Sequence, residues 1–142
     1  MSLPPAVIVH GLEDARAVLA LGAPATLLSA PGAAAYAGCG WWQALVAQAR
    51  DAVPGVAFSD LLDCGEASGQ ALAALRIGQA NLVLSPAAPG WDAVAAIAAA
   101  QGGTVLRDAP PALDLAVPGS RRRLHDWLHL RTTPGDSGPA VR

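Results

Sequence analysis

The residues able to do chemistry recur at one kind of place in this sequence, the ends of short apolar runs. Ala6-Val7-Ile8-Val9 ends in His10, Ala25-Thr26-Leu27-Leu28 in Ser29, and Leu61-Leu62 in Asp63 and Cys64. Asn81-Leu82-Val83-Leu84 ends in Ser85, and Thr104-Val105-Leu106 in Arg107 and Asp108. An imidazole and a carboxylate can exchange protons, a thiol can attack, and hydroxyls with a guanidinium can hold an anion. His10, Asp63 and Cys64 are therefore the catalytic candidates. Cys64 lies just before a helical segment, where a thiolate is favoured. His10 and Asp63 form an acid–base pair if the first and third runs are neighbours. Ser29, Gly32, Ser85 and Arg107 are the ligand-binding candidates, for an anionic small molecule. The plainer account is that polar residues close strands because strand ends meet water, with Ser85 before Pro86 serving a turn.

Continuous apolar runs of this length fit strands buried on both faces, as in parallel sheets. The spacing predicts helices over Leu12–Leu21, Gly40–Ala52, Ser68–Ile77 and Trp91–Ala100, each stopped by glycine or proline. Run ends fall roughly 20 residues apart, as β-α units require, except for the longer step from Ser29 to Cys64. That step contains the Gly-rich stretch Pro31–Gly40, placed where a phosphate cradle belongs but without its glycine spacing. It also contains Val56–Asp60, a strand extension or a loop. The reading is α/β: five β-α units on a parallel sheet, an open flavodoxin-like sandwich, with a half (β/α) barrel as the alternative. A final helix over Ser120–Leu130, with Ser120 as N-cap, completes a single domain over 1–131, and 132–142 reads as a disordered tail.

The chain has 142 residues, 53% apolar and 14% charged, with a net charge of −2. A body so apolar is not intrinsically disordered. The charge gives no case for nucleic acid. All nine basic residues are arginine, which excludes lysine Schiff-base chemistry and a Walker phosphate loop. No run is long enough to span a membrane, and Met1-Ser2-Leu3-Pro4-Pro5 does not open a signal peptide. Cys39 and Cys64 lack framework spacing and fit reduced thiols in a cytoplasm, and the composition suits a GC-rich bacterium. No cofactor is expected.

Leu124, Trp127 and Leu128 form one apolar stripe on the last helix. Trp41 and Trp42 point about 100° apart on a helix, so one must leave the core for an edge or interface. Trp41, Leu124, Trp127 and Leu128 are accordingly the interface candidates, for a homo-oligomer. Arg121-Arg122-Arg123 is either an anion site or a solvated basic turn.

Some segments resemble known families. His125-Asp126-Trp127-Leu128-His129 looks like the zincin helix signature with Asp for Glu; no third ligand follows, so His125 and His129 are a weak metal pair and no metal is expected. Gly135-Asp136-Ser137-Gly138-Pro139 resembles the serine-nucleophile motif of trypsin-like proteases with one glycine missing, in a tail that supplies no oxyanion hole. The segment Gly69–Pro86, with Ala71-Leu72-Ala73-Ala74-Leu75-Arg76-Ile77-Gly78 leading into Asn81-Leu82-Val83-Leu84-Ser85-Pro86, resembles a helix–strand unit of class I aldolase barrels of the keto-deoxyphosphogluconate type. The resemblance implies β-α architecture. Those aldolases act through a strand lysine, and this chain has none, so no catalytic residue carries over. The expected function is a non-catalytic interaction or oligomerisation module; the alternative is an anionic-metabolite site or acid–base enzyme at the carboxyl ends of the strands.

Overall fold

The computed structural model describes residues 3–130. All five apolar runs form strands: β1 (Ala6–Ile8), β2 (Thr26–Leu28), β3 (Ser59–Asp63), β4 (Asn81–Val83) and β5 (Thr104–Leu106). Of the undecided segment Val56–Asp60, only Ser59 and Asp60 extend a strand. A sixth strand, β6 (Ala112–Asp114), adds to the five expected. Its one buried side chain is Leu113, so it carries no continuous apolar signal; pairing along β1 makes it a strand.

Helices occupy the gaps: α1 (Leu12–Leu19), α2 (Ala33–Tyr36) within the Gly-rich stretch, α3 (Cys39–Ala52), α4 (Ser68–Arg76) and α5 (Trp91–Ala100). A 3-10 turn over Ser120–Arg123 leads into α6 (Leu124–Leu130). The fold is α/β, a six-stranded all-parallel sheet flanked by helices, consistent with a flavodoxin-like sandwich. The strand order is β5-β4-β3-β2-β1-β6. Its direction reverses at β1: the chain runs through β2 to β5 on one side and adds β6 on the other. No helix among the described residues is long and apolar enough to cross a membrane.

The chain divides into two compact units, and the division passes through α3 and β3. The first holds Met1–Leu28, Val46–Asp60 and the described residues from Pro110 onward. Here β1 pairs in parallel with β2 (Val7 opposite Leu27) and with β6 (Val7 opposite Leu113). Buried Ala15, Val18 and Leu19 give α1 its inner face. Leu124, Trp127 and Leu128 are buried as well, and the Trp127 indole Nε1–H donates to the Ala6 carbonyl at 2.8 Å. That corrects their assignment to an interface: the stripe is spent on the chain's own core. Ser120 is corrected too. It does not cap a helix but begins the 3-10 turn, and its buried Oγ has no hydrogen-bond partner among the described residues.

The second unit holds Ser29–Leu45 and Leu61–Ala109. β4 pairs in parallel with both β3 and β5. At Gly103 a Cβ would stand 1.9 Å from the Ala80 carbonyl oxygen, so only glycine lets the chain enter β5 there. The paired tryptophans separate as helix geometry demands: Trp42 is fully buried and Trp41 is 38% exposed.

Candidate functional site

His10 and Asp114 follow and end the adjacent strands β1 and β6. Leu115 N–H continues the ladder to Ile8 O at 3.1 Å, which holds the two carboxyl ends in register. The His10 Nε2 and Asp114 Oδ1 atoms are 2.7 Å apart, and both side chains are about one-third exposed. Asp114 Oδ1 also accepts the Ala116 N–H at 2.9 Å. Burial alone raises the Asp114 carboxyl, but the His10 hydrogen bond, the Ala116 N–H and the His10 charge outweigh it and hold the carboxyl below its ordinary value. Asp114 is then an ionised acceptor at neutral pH, so the hydrogen between the two belongs to His10 Nε2. No hydrogen bond engages His10 Nδ1 among the described residues. Neutral His10 therefore presents a lone pair at Nδ1, oriented from behind by a carboxylate, the arrangement of a general base.

Asp14 fixes the same residue through its backbone. It sits in the first turn of α1, where the helix dipole favours a carboxylate. Its Oδ2 accepts the His10 N–H at 2.9 Å and its Oδ1 accepts Arg121 Nη2 at 2.7 Å. The first turn of α1, residue 10 and the 3-10 turn are thus tied together by one partly exposed carboxylate. Sequence reasoning missed Asp114 as a site residue and singled out Arg121 only within the Arg121-Arg122-Arg123 run, as an anion site or a solvated basic turn. His10 and Asp114 lie 104 positions apart, and no local pattern links them.

The polar residues of the second unit are used differently. Asp63 is buried, and its Oδ1 accepts two backbone N–H groups, Gly65 at 2.9 Å and Gly32 at 3.1 Å. Its own N–H donates to Ser29 Oγ at 2.8 Å. Gly32 and Gly65 have left-handed φ, +67° and +57°, and a Cβ on Gly65 would lie 3.5 Å from the Gly32 Cα. Asp63, Ser29 and Gly32 therefore clamp two tight loops together. Ser85 Oγ accepts the Ala87 N–H at 3.2 Å, the turn role. Arg107 is exposed and stacks its guanidinium 4.4 Å from the Trp91 ring centroid, while Trp91 Nε1–H donates to Leu84 O at 2.7 Å.

Two expectations are overturned. β2 lies between β1 and β3, so His10 and Asp63 are not on neighbouring strands and form no pair. Cys64 does not favour its thiolate: burial, then the Asp63 charge and Cys39, push the thiol up to about 12. α4 begins at Ser68, too far along for its dipole to act, since that effect fades within one turn. Both cysteines are free thiols, Cys39 partly exposed and Cys64 buried.

On α6 the His125 and His129 rings stack at 4.0 Å, and His129 Nδ1 lies 2.8 Å from the His125 carbonyl oxygen. No group of three or more metal-ligating side chains occurs among the described residues. Of the arginine run, Arg121 is paired with Asp14, and Arg122 and Arg123 are exposed. The Gly135–Pro139 motif and the 132–142 tail lie outside the described residues. No family model matches this chain, and no curated protein matches it.

Proposed function

We propose that the chain binds a small anionic molecule at the carboxyl ends of β1 and β6 and transfers a proton there through His10. The observation that carries this is the His10–Asp114 contact of 2.7 Å, about one-third exposed to solvent, where the strand order reverses. Parallel α/β sheets bind ligands outside the carboxyl ends of their strands at such a reversal. Asp114 orients the imidazole and stabilises it when protonated. Arg121 spends its charge on Asp14, and the exposed Arg122 and Arg123, next along the turn, supply positive charge for an anion. This reading takes the reducing bacterial cytoplasm as the setting and a metabolite, not nucleic acid, as the partner. A thermal-shift screen with carboxylates, phosphosugars and nucleotides tests it, since a ligand of the native state raises Tm. A ligand of this site raises Tm in the wild type and fails to do so in His10→Gln. A ligand whose effect survives that substitution binds elsewhere.

The interaction-module reading now rests on Trp41, 38% exposed, and Tyr36, 71% exposed, in the second unit. Light scattering of the wild type and Trp41→Ser tests whether they join copies of the chain.

A further inference from the structure

The first unit carries a groove at the amino ends of its strands, the end of β1 away from His10. Its volume is ≈ 450 Å³, within the roughly 300–1,000 Å³ of small-molecule sites. Pro4, Pro24, Val56 and Phe58 give it apolar walls, and Ser59 at the start of β3 is its one polar side chain. The walls are held in place. Thr26 donates its hydroxyl to Pro4 O at 2.9 Å and its N–H to Pro5 O at 2.8 Å, and Ser59 N–H donates to Ala25 O at 3.1 Å. A rigid wall saves the ordering cost that a ligand must otherwise meet.

The groove also has a charge beside it. The Arg50 guanidinium lies 5.0 Å from the Phe58 ring centroid, on an aromatic ring that lines the groove. No carboxylate pairs with Arg50 among the described residues. A cation–π contact restrains the guanidinium without an acceptor oxygen consuming its N–H donors, which leaves them for an oxygen anion. The Phe58 ring can meet an aromatic body by offset or edge contact, and the two proline rings add apolar surface.

We propose that this groove binds an aryl carboxylate, with the ring between Pro4, Pro24 and Phe58 and the carboxylate on Arg50. The amino ends of parallel strands do not host the chemistry of α/β folds, so this is a binding site and not a second reaction centre. The probes are phenylacetate and its uncharged counterpart 2-phenylethanol, followed by backbone amide NMR of the intact chain. Phenylacetate should shift the amides of Gly55–Ser59 and bind roughly tenfold more tightly than the alcohol, the margin of one charge-assisted hydrogen bond. Arg50→Gln should erase that preference while leaving the alcohol's affinity unchanged, and Arg50→Lys should keep part of it. Arg50 is exposed, so neither change endangers the fold. Equal affinity for the two probes, a preference that survives Arg50→Gln, or no shift at these amides up to about 20 mM of either probe, well beyond millimolar affinity, overturns the proposal.

Discussion

The two units place polar side chains at strand ends and use them in opposite ways. In the second, Asp63 is buried and its carboxylate, with Ser29 Oγ, takes up backbone N–H groups from three residues, Gly32, Asp63 and Gly65. In the first, His10, Asp114, Asp14 and Arg121 meet mainly through side chains, and His10 and Asp114 stay about one-third exposed. A buried carboxylate whose Oδ1 is taken up by two loop N–H groups is tied into the fold. A one-third-exposed imidazole backed by a carboxylate keeps Nδ1 for other uses. The difference separates a structural clamp from a candidate site even though the sequence presents both as polar ends of apolar runs.

The largest effect should come from neither cluster but from the core that supports the first. Trp127→Ala should cost about 3–5 kcal/mol in urea melts, as large-to-small changes of buried aromatics do. Light scattering should find the mutant's mass unchanged, because the ring is buried within its own chain and bonded to Ala6 O. A drop in mass with an unaltered melting midpoint would return Trp127 to an interface.

Next in size is a direct break of the comparison. Asp63→Ala should destabilise by about 2–4 kcal/mol, since it orphans two N–H groups that had a charged acceptor. Asp114→Ala should cost under about 1 kcal/mol, the range of exposed ion pairs. Equal losses in chemical denaturation would mean that the clamp and the pair do the same work.

Much of this was legible in the sequence, for identifiable reasons. The five runs announced strands because covered strands are apolar along most of their length, a signal that β5 carries although none of its residues is fully buried. The Leu124-Trp127-Leu128 stripe announced a docked helix, though not that its dock was the same chain. β6 was not legible: three residues with one buried side chain are indistinguishable from a loop until β1 lies beside them. The His10–Asp114 pair depends on that strand, so the site was hidden together with it. Cys64 misled because a sequence does not show how deeply a thiol is buried, which is the largest effect on this one, and because α4 begins four residues later.

Thiol chemistry sharpens the contrast within the second unit. In the native chain, a thiol reagent should label Cys39 readily and leave Cys64 unmodified, with both reacting in denaturant. Intact mass after timed labelling reads this directly. Rapid native labelling of Cys64 would show that its pocket opens and that the thiol is not held neutral.

Smallest at neutral pH are the pH-linked effects, and they have opposite signs in the two units. Cys64 is an acid whose folded value is raised from 9.0 to about 12. Its unfolded thiol ionises first, so its contribution is intact below pH 9 and is lost as pH climbs from 9 towards 12. Asp114 is an acid whose folded value is lowered. Its contribution is present above the ordinary carboxylate range, near about 4, and is lost as pH falls through the folded value. Asp114→Asn should therefore flatten the acid limb of the stability profile and leave the alkaline limb alone, while Cys64→Ala should flatten only the alkaline limb. Both can be followed by urea midpoints across the pH range. The acid change should be small, because Asp114 and His10 are each about one-third exposed and solvent screens the pair. An acid limb unaltered in Asp114→Asn would mean that His10 gains no orientation from this carboxylate, and the proton-transfer reading would lose the contact on which it stands.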